Sequence, residues 1–171
     1  LRIENSLQSV SNSLDYTKWS IEKNMTNEDN VREIMSQILK NNPLIMGCGI
    51  AYAPKVIGKN DVLKRIYASK SNAGIQFKII GSLQYFYPGM DWYIIPKQLK
   101  KPYWSEPYFD KESGNQIMTT YSVPLLDEKG NVIGVFGADI ALLGFTDIVE
   151  KMRMFNDSYT FMLSRNGYYL T

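Results

Sequence analysis

Two long apolar runs, Gln116 to Leu126 and Asn131 to Ile140, are joined by Asp127-Glu128-Lys129-Gly130. Strand-like runs separated by a short polar turn that closes on glycine predict a β-hairpin. A lone ribbon of two strands is barely stable in water, so the rest of the chain has to supply further strands and a cover for them.

The remaining sequence offers both. Leu44 to Ala53 is a compact apolar run containing Gly47 and Gly49 and bounded by Pro43 and Pro54, which suits a buried central strand. Ile75 to Tyr87 alternates as a strand and stops at Pro88-Gly89, and Tyr159 to Thr171 reads as strand interrupted by the turn Arg165-Asn166-Gly167. Val56 to Gly74 is polar and mixed in charge and reads as a loop with one helical turn, while Met90 to Asp110, with three prolines, reads as a short helix plus loop. Ile3, Leu7, Val10, Leu14, Thr17 and Ile21 recur at spacings of 4, 3, 4, 3, 4. This heptad-like stripe predicts one amphipathic helix from Leu1 to about Lys23, packed either along its own domain or along a second copy. Thr26 and Asp29 resemble a capping box ahead of a second helix carrying Val31, Ile34, Met35, Ile38 and Leu39, which Asn41-Asn42-Pro43 ends. Leu142 to Met154 reads as a last helix. Hairpin-linked strands with helices gathered to one side describe an α+β fold, divided into a signalling or dimerisation helix over 1–25 and one module over 26–171. Leu1 lies inside a helical pattern and Thr171 inside a strand-like one, so the expectation is a piece of a longer protein.

Composition narrows the chemistry. Among 171 residues there is no histidine and one cysteine, Cys48. His-based triads, His-x-x-x-His zinc sites, Cys-x-x-Cys pairs and an intrachain disulfide are thereby excluded. Cys48 lies in an apolar run and reads as a small buried residue. The net charge of +2 provides no nucleic-acid footprint, and the short basic stretch Lys97 to Lys101 reads as a solvated loop. No stretch reaches the roughly 18 apolar residues of a membrane helix, and no basic-then-apolar signal segment opens the chain. A Gly-x-Ser-x-Gly signature is absent, and Gly47-Cys48-Gly49 lacks the third glycine and following helix of a phosphate loop. No cofactor and no metal are expected. Aromatic residues, by contrast, make up 13% of the chain, a balance that favours binding over catalysis.

Trp92, Tyr93, Tyr103, Trp104, Tyr108 and Phe109 fall within eighteen positions, among Pro96, Pro102 and Pro107. Such a segment either pins an irregular loop to a sheet or walls a pocket, since pockets are mostly apolar and aromatic with a few convergent polar groups. Asp91, Glu106, Asp110 and Asp139 bracket it. Asp139 ends the apolar run Val132 to Ala138, where a buried charge is costly unless paired. With no arginine near it in sequence, two readings stand: a cationic ligand supplies the counter-charge, helped by aromatic faces, or Asp139 caps the next helix around Leu142. Glycoside hydrolysis by Asp110 and Asp139 is a distant third.

Asp91-Trp92-Tyr93, Tyr103-Trp104-Ser105-Glu106-Pro107-Tyr108-Phe109-Asp110, Thr119-Thr120-Tyr121-Ser122-Val123-Pro124 and Gly134-Val135-Phe136-Gly137-Ala138-Asp139-Ile140 occur in that order. Together they resemble the membrane-distal, PAS-like module of a double-Cache sensor domain. The resemblance implies a PAS-like Cache fold, with a central antiparallel sheet of five or six strands and a long N-terminal helix. It also implies a non-enzymatic, extracytoplasmic sensor, joined to the membrane by flanking segments and serving a histidine kinase, chemoreceptor, serine phosphatase or cyclic-dinucleotide enzyme. Tyr85, Trp92, Tyr108, Asp110 and Asp139 stand where amino-acid-binding members hold their ligand; with Tyr93 and Tyr121 they make the expected ligand-binding set. Met90 stands where those members carry an arginine for the ligand carboxylate. The expected partner is therefore an amine or an amino acid whose carboxylate is absent or held elsewhere, by Lys78 or Lys97. The alternative is an interaction module that dimerises through its first helix around a vestigial pocket.

Overall fold

The heptad-like stripe forms one face of helix α1, Arg2–Asn24, in the computed structural model of the chain, which describes residues 2–54, 63–81, 85–111, 115–151, 155 and 157–169. Val10, Leu14 and Ile21 are fully buried, and Ile3 and Leu7 pack beside them. The stripe therefore lies in the chain's own core and is not free to form a dimer seam. Helix α2, Glu28–Asn41, buries Val31, Met35, Ile38 and Leu39 at the expected spacing. Its cap is Asn27, not Thr26, and the Asn27 side chain accepts from the Asn30 N–H at 3.1 Å. Asn, like Thr, has a short side-chain acceptor that can satisfy a free amide of the first turn.

The two helices cover one face of an antiparallel sheet. Its strands are β1 (Gly47–Tyr52), β2 (Arg65–Ser71), β3 (Gly74–Ile80), β4 (Tyr103–Trp104), β5 (Tyr108–Asp110), β6 (Gln116–Leu126) and β7 (Val132–Ala141). They run in the order β3-β2-β1-β7-β6-β4, with β5 also paired to β6. Among the described residues the sheet thus has seven strands, more than expected, because β2 lies in the stretch read as loop and β4 and β5 lie in the aromatic segment. Residues 55–62 of that supposed loop lie outside the described residues. The hairpin β6–β7 carries a register irregularity at Leu125/Leu126, and Pro124 sits in β6 beyond the reach of β4, where its missing N–H costs no ladder bond.

Alternation decides which side chains meet the helices. Ile66, Ala68, Cys48, Ile50, Phe136, Ala138, Ile140, Tyr121, Val123 and Leu125 share the helix-covered face and form the main core. The helices are not all gathered on that side, however. After a 3-10 turn at Tyr87–Gly89, helix α3, Asp91–Leu99, crosses the opposite face, where Tyr87, Trp92 and Tyr93 pack with Ala51 and Val135 in a second apolar cluster. The last helix, α4, spans Leu143–Glu150 and returns Phe145 and Val149 to buried positions. Beyond it, among the described residues, the expected C-terminal strand is reduced to a single bridge between Leu163 and Tyr169 around a turn at Gly167; residues 170–171 lie outside them. No helix among the described residues is long and apolar enough to cross a membrane.

Candidate functional site

The face under α3 carries the polar residues of the sheet. Arg65 and Tyr67 project from β2, Asp139 from β7, Thr120 from β6, and Tyr108 and Asp110 from β5, all on one side by register. Between β2 and β7 runs β1, and on this side it presents only Gly47, Gly49 and Ala51. A Cβ at Gly47 would come within 2.0 Å of the Tyr67 hydroxyl, and one at Gly49 within 3.1 Å of Arg65 Nε. The two glycines leave a trough along which both long side chains lie towards β7. Glycine in a strand interior commonly marks such a close approach.

At the end of the trough the charges converge. Arg65 Nη1 lies 3.6 Å from Asp110 Oδ2, and Nη2 lies 3.6 Å from Asp139 Oδ2; all three side chains are buried. Arg65 Nη1 donates to the Tyr85 hydroxyl at 2.8 Å, which in turn donates to Asp110 Oδ2 at 2.8 Å. On the other side, Thr120 Oγ1 donates to Asp139 Oδ1 at 2.7 Å. The single hydroxyl hydrogen of Thr120 is spent there, so Tyr108 is the donor in its 2.7 Å contact with Thr120. The guanidinium lies over the rings of Tyr67 and Trp92, 4.6 and 4.7 Å from their centroids, and over Tyr85 at 5.8 Å.

Burial works against the Arg65 charge, but Tyr85 and Asp139 outweigh it and hold the guanidinium protonated. Burial drives the Asp139 carboxyl above its ordinary range, against the pull of Arg65 and Thr120. Burial also pushes the hydroxyls of Tyr67, Tyr85 and Tyr108 well up, so all three remain hydrogen-bond donors. The Tyr67 hydroxyl faces the Asp139 carboxyl; among the described residues, Trp92 Nε1 and Tyr93 Oη are buried without a hydrogen-bond partner. Native structures keep few such atoms, and each calls for an explanation such as a bound water or ligand.

The structure brings together five of the seven residues expected from sequence: Tyr85, Trp92, Tyr108, Asp110 and Asp139. Tyr93 stands behind them, edge-on to Tyr87 and Trp92 with Lys97 over its ring. Tyr121 does not join them. It projects to the opposite face, where its hydroxyl donates to Asp15 of α1 at 3.1 Å and its ring packs on Trp104. Asp139 turns its carboxylate to Thr120 and Arg65 and does not cap the following helix. Nor does it lack an arginine: Arg65, seventy-four positions earlier, is its partner. The missed residues are Arg65, Tyr67 and Thr120. Lys78, proposed as a carboxylate holder, is exposed on β3.

A sheet with helices on both faces and a buried polar cluster under α3 makes this an α+β module with a sealed polar centre. The chain belongs to the family of methyl-accepting chemotaxis protein-like first PDC sensor domains, whose model matches residues 31–147. It is a Cache-like sensor domain of the kind found in chemoreceptors and histidine kinases. Sixty residues are 38% identical to the methyl-accepting chemotaxis protein TlpQ of Pseudomonas aeruginosa, covering 35% of this chain and 8% of that protein. A stretch of 78 residues is 30% identical to the voltage-dependent calcium channel subunit alpha-2/delta-3 of Rattus norvegicus, covering 40% of this chain and 7% of the subunit. The extracellular domain of the candidate histidine kinase mmHK1S-Z3 superposes with a TM-score of 0.77 at 25% identity, over 98% of this chain and 64% of that one. The ligand-binding domain of the Pseudomonas aeruginosa amino acid chemoreceptor PctC in complex with GABA shares the fold, with a TM-score of 0.68 at 17% identity, over 98% of this chain and 69% of the other.

Proposed function

We propose that this chain is the extracytoplasmic sensing part of a membrane signalling protein, without enzymatic activity of its own, and that it binds an amine- or amino-acid-like molecule against Asp110, Asp139, Tyr85, Trp92 and Tyr108. The observation that supports this most directly is the convergence of two fully buried carboxyl groups, Asp110 and Asp139, under an aromatic roof that includes Trp92. Trp92 Nε1, buried there without a hydrogen-bond partner, is a donor that a ligand acceptor satisfies. Structural neighbours point the same way: Mlp24 with asparagine, Tlp3 with L-valine and PctC with GABA. Binding signals only if the ligand favours one of two conformations of the module.

Thermal denaturation against the proteinogenic amino acids and a set of simple amines tests the reading. A hit should raise Tm in the wild type and in the exposed-turn variant Lys129→Ala, and should be lost in Asp139→Ala. No hit across the panel counts against it.

A second reading, homodimerisation through α1, has support in Tyr16 and Trp19, which are 82% and 65% exposed on that helix. Sedimentation should then show a dimer that Tyr16→Lys with Trp19→Lys dissociates; a monomeric wild type removes this reading.

A further inference from the structure

The cation at the centre of the site belongs to the chain itself. Arg65 reaches along the trough over Gly49 until its two terminal nitrogens face Asp110 Oδ2 and Asp139 Oδ2 at 3.6 Å each. That is the position a ligand ammonium would take to meet both carboxylates. The guanidinium is held there by the Tyr85 hydroxyl and by the faces of Tyr67 and Trp92, and it is shut from water.

We propose that Arg65 is the specificity-determining residue of the site: it fills the cation position between Asp110 and Asp139, bars simple amines, and admits an amine only on a ligand that also brings an acidic group for the guanidinium. This rests on the sensor reading above and narrows its ligand class to zwitterions.

Charge geometry supplies the reason. An ammonium close enough to reach Asp139 Oδ2 also lies within a few ångströms of a guanidinium that is itself 3.6 Å from that oxygen. At similar short range the guanidinium's repulsion offsets the attraction of one of the two carboxylates, so a lone amine gains far less than it would between two unopposed ones. A carboxylate on the same ligand pairs with the guanidinium and removes the repulsion, and Arg is well suited to that pairing because its planar fork matches a carboxylate. The aromatic surfaces do not restore affinity for a simple cation, since Arg65 already covers Tyr67 and Trp92. Removing the arginine should leave two carboxylates and two ring faces around a vacated cation position.

Calorimetry with methylguanidinium and methylammonium reads this directly. The wild type should bind neither. Arg65→Ala should gain methylguanidinium binding by at least about tenfold, and Arg65→Ala with Asp139→Asn should lose it again. Should Arg65→Ala be unfolded alone, Arg65→Gln keeps the stem and a polar end without the charge, and should gain methylammonium binding to a similar degree. Methylammonium binding by the wild type that depends on Asp139 overturns the inference and leaves the sensor reading standing. Folded Arg65 variants with no gain for either cation overturn it as well. A silent amino-acid panel with a clear gain in the Arg65 variants has the opposite meaning: the cation position is real and the sensor reading fails.

Discussion

Arg65 on β2 and Asp139 on β7 approach to 3.6 Å although β1 runs between their strands. They can do so because Gly47 and Gly49 put no side chain in the way. Gly47→Ala would set a methyl group 2.0 Å from the Tyr67 hydroxyl and 3.0 Å from the Ala68 carbonyl oxygen. We expect a loss of about 1–3 kcal/mol, the range for overfilling a packed interior. Urea denaturation should show a lower midpoint with an unchanged slope. A midpoint equal to that of the wild type would mean that Tyr67 leaves the trough at no cost.

Tyr85 ties the guanidinium to the second aspartate, accepting from Arg65 and donating to Asp110. Tyr85→Phe keeps the ring and leaves two charged groups without this bridge. The expected cost is about 1.5–3 kcal/mol, as for hydrogen bonds to ions. Phe86→Ala, next to it but exposed, should stay within about 0.5 kcal/mol. Equal effects of the two would show that the hydroxyl carries no special weight.

Asp139 gives stability a pH dependence of definite sign. Burial raises its carboxyl above the ordinary 3.8, so the folded chain holds that proton more tightly than the unfolded chain does. Its contribution is complete below 3.8 and declines as pH rises through the folded value. Glu28, held below its ordinary 4.5 chiefly by its hydrogen bond with Lys64, contributes the opposite slope and is untouched by a change at Asp139. The difference between wild type and Asp139→Asn therefore isolates the buried acid. Melts in a series of buffers should show wild type losing stability relative to Asp139→Asn from pH 3.8 upward; a constant difference would refute the assignment.

Helix α1 offers an internal comparison. Leu14 is fully buried against the sheet, whereas Tyr16, two positions on, is 82% exposed. Leu14→Ala should cost about 2–5 kcal/mol through the cavity it leaves. Tyr16→Ala should change monomer stability by less than about 0.5 kcal/mol. Chemical denaturation at low protein concentration separates the two, and a large loss at Tyr16 would place that face in a contact made within one copy.

The long elements are legible in the sequence because local pattern and tertiary burial agree in them. Strand β6 occupies Gln116–Leu126 as read, and α1 matches its stripe to within a residue. Strand β2 is hidden for a physical reason. Ile66 and Ala68 point into the core, but Arg65 and Tyr67 alternate with them into a second buried layer, which in sequence looks like a solvated face. The arginine that pairs with Asp139 is hidden together with the strand that carries it. The pair Gly47-x-Gly49 on a central strand was the available signal, since it marks a place where something large must cross. Nearness along the chain to the aromatic segment suggests Tyr121 for the site, but parity along β6 removes it. Counting in steps of two from Asp139's partner Thr120 sends Tyr121 to the other side.

That parity has a mechanical side. Thr120 holds Asp139 on one surface of β6, and Tyr121, the next residue, holds Asp15 of α1 on the other. The floor of the site and the seat of the long helix are thus separated by a single peptide unit. A tilt of β6 that changes the Thr120 contact also changes the Tyr121 contact with the helix, so the strand that separates the two is the shortest link between them.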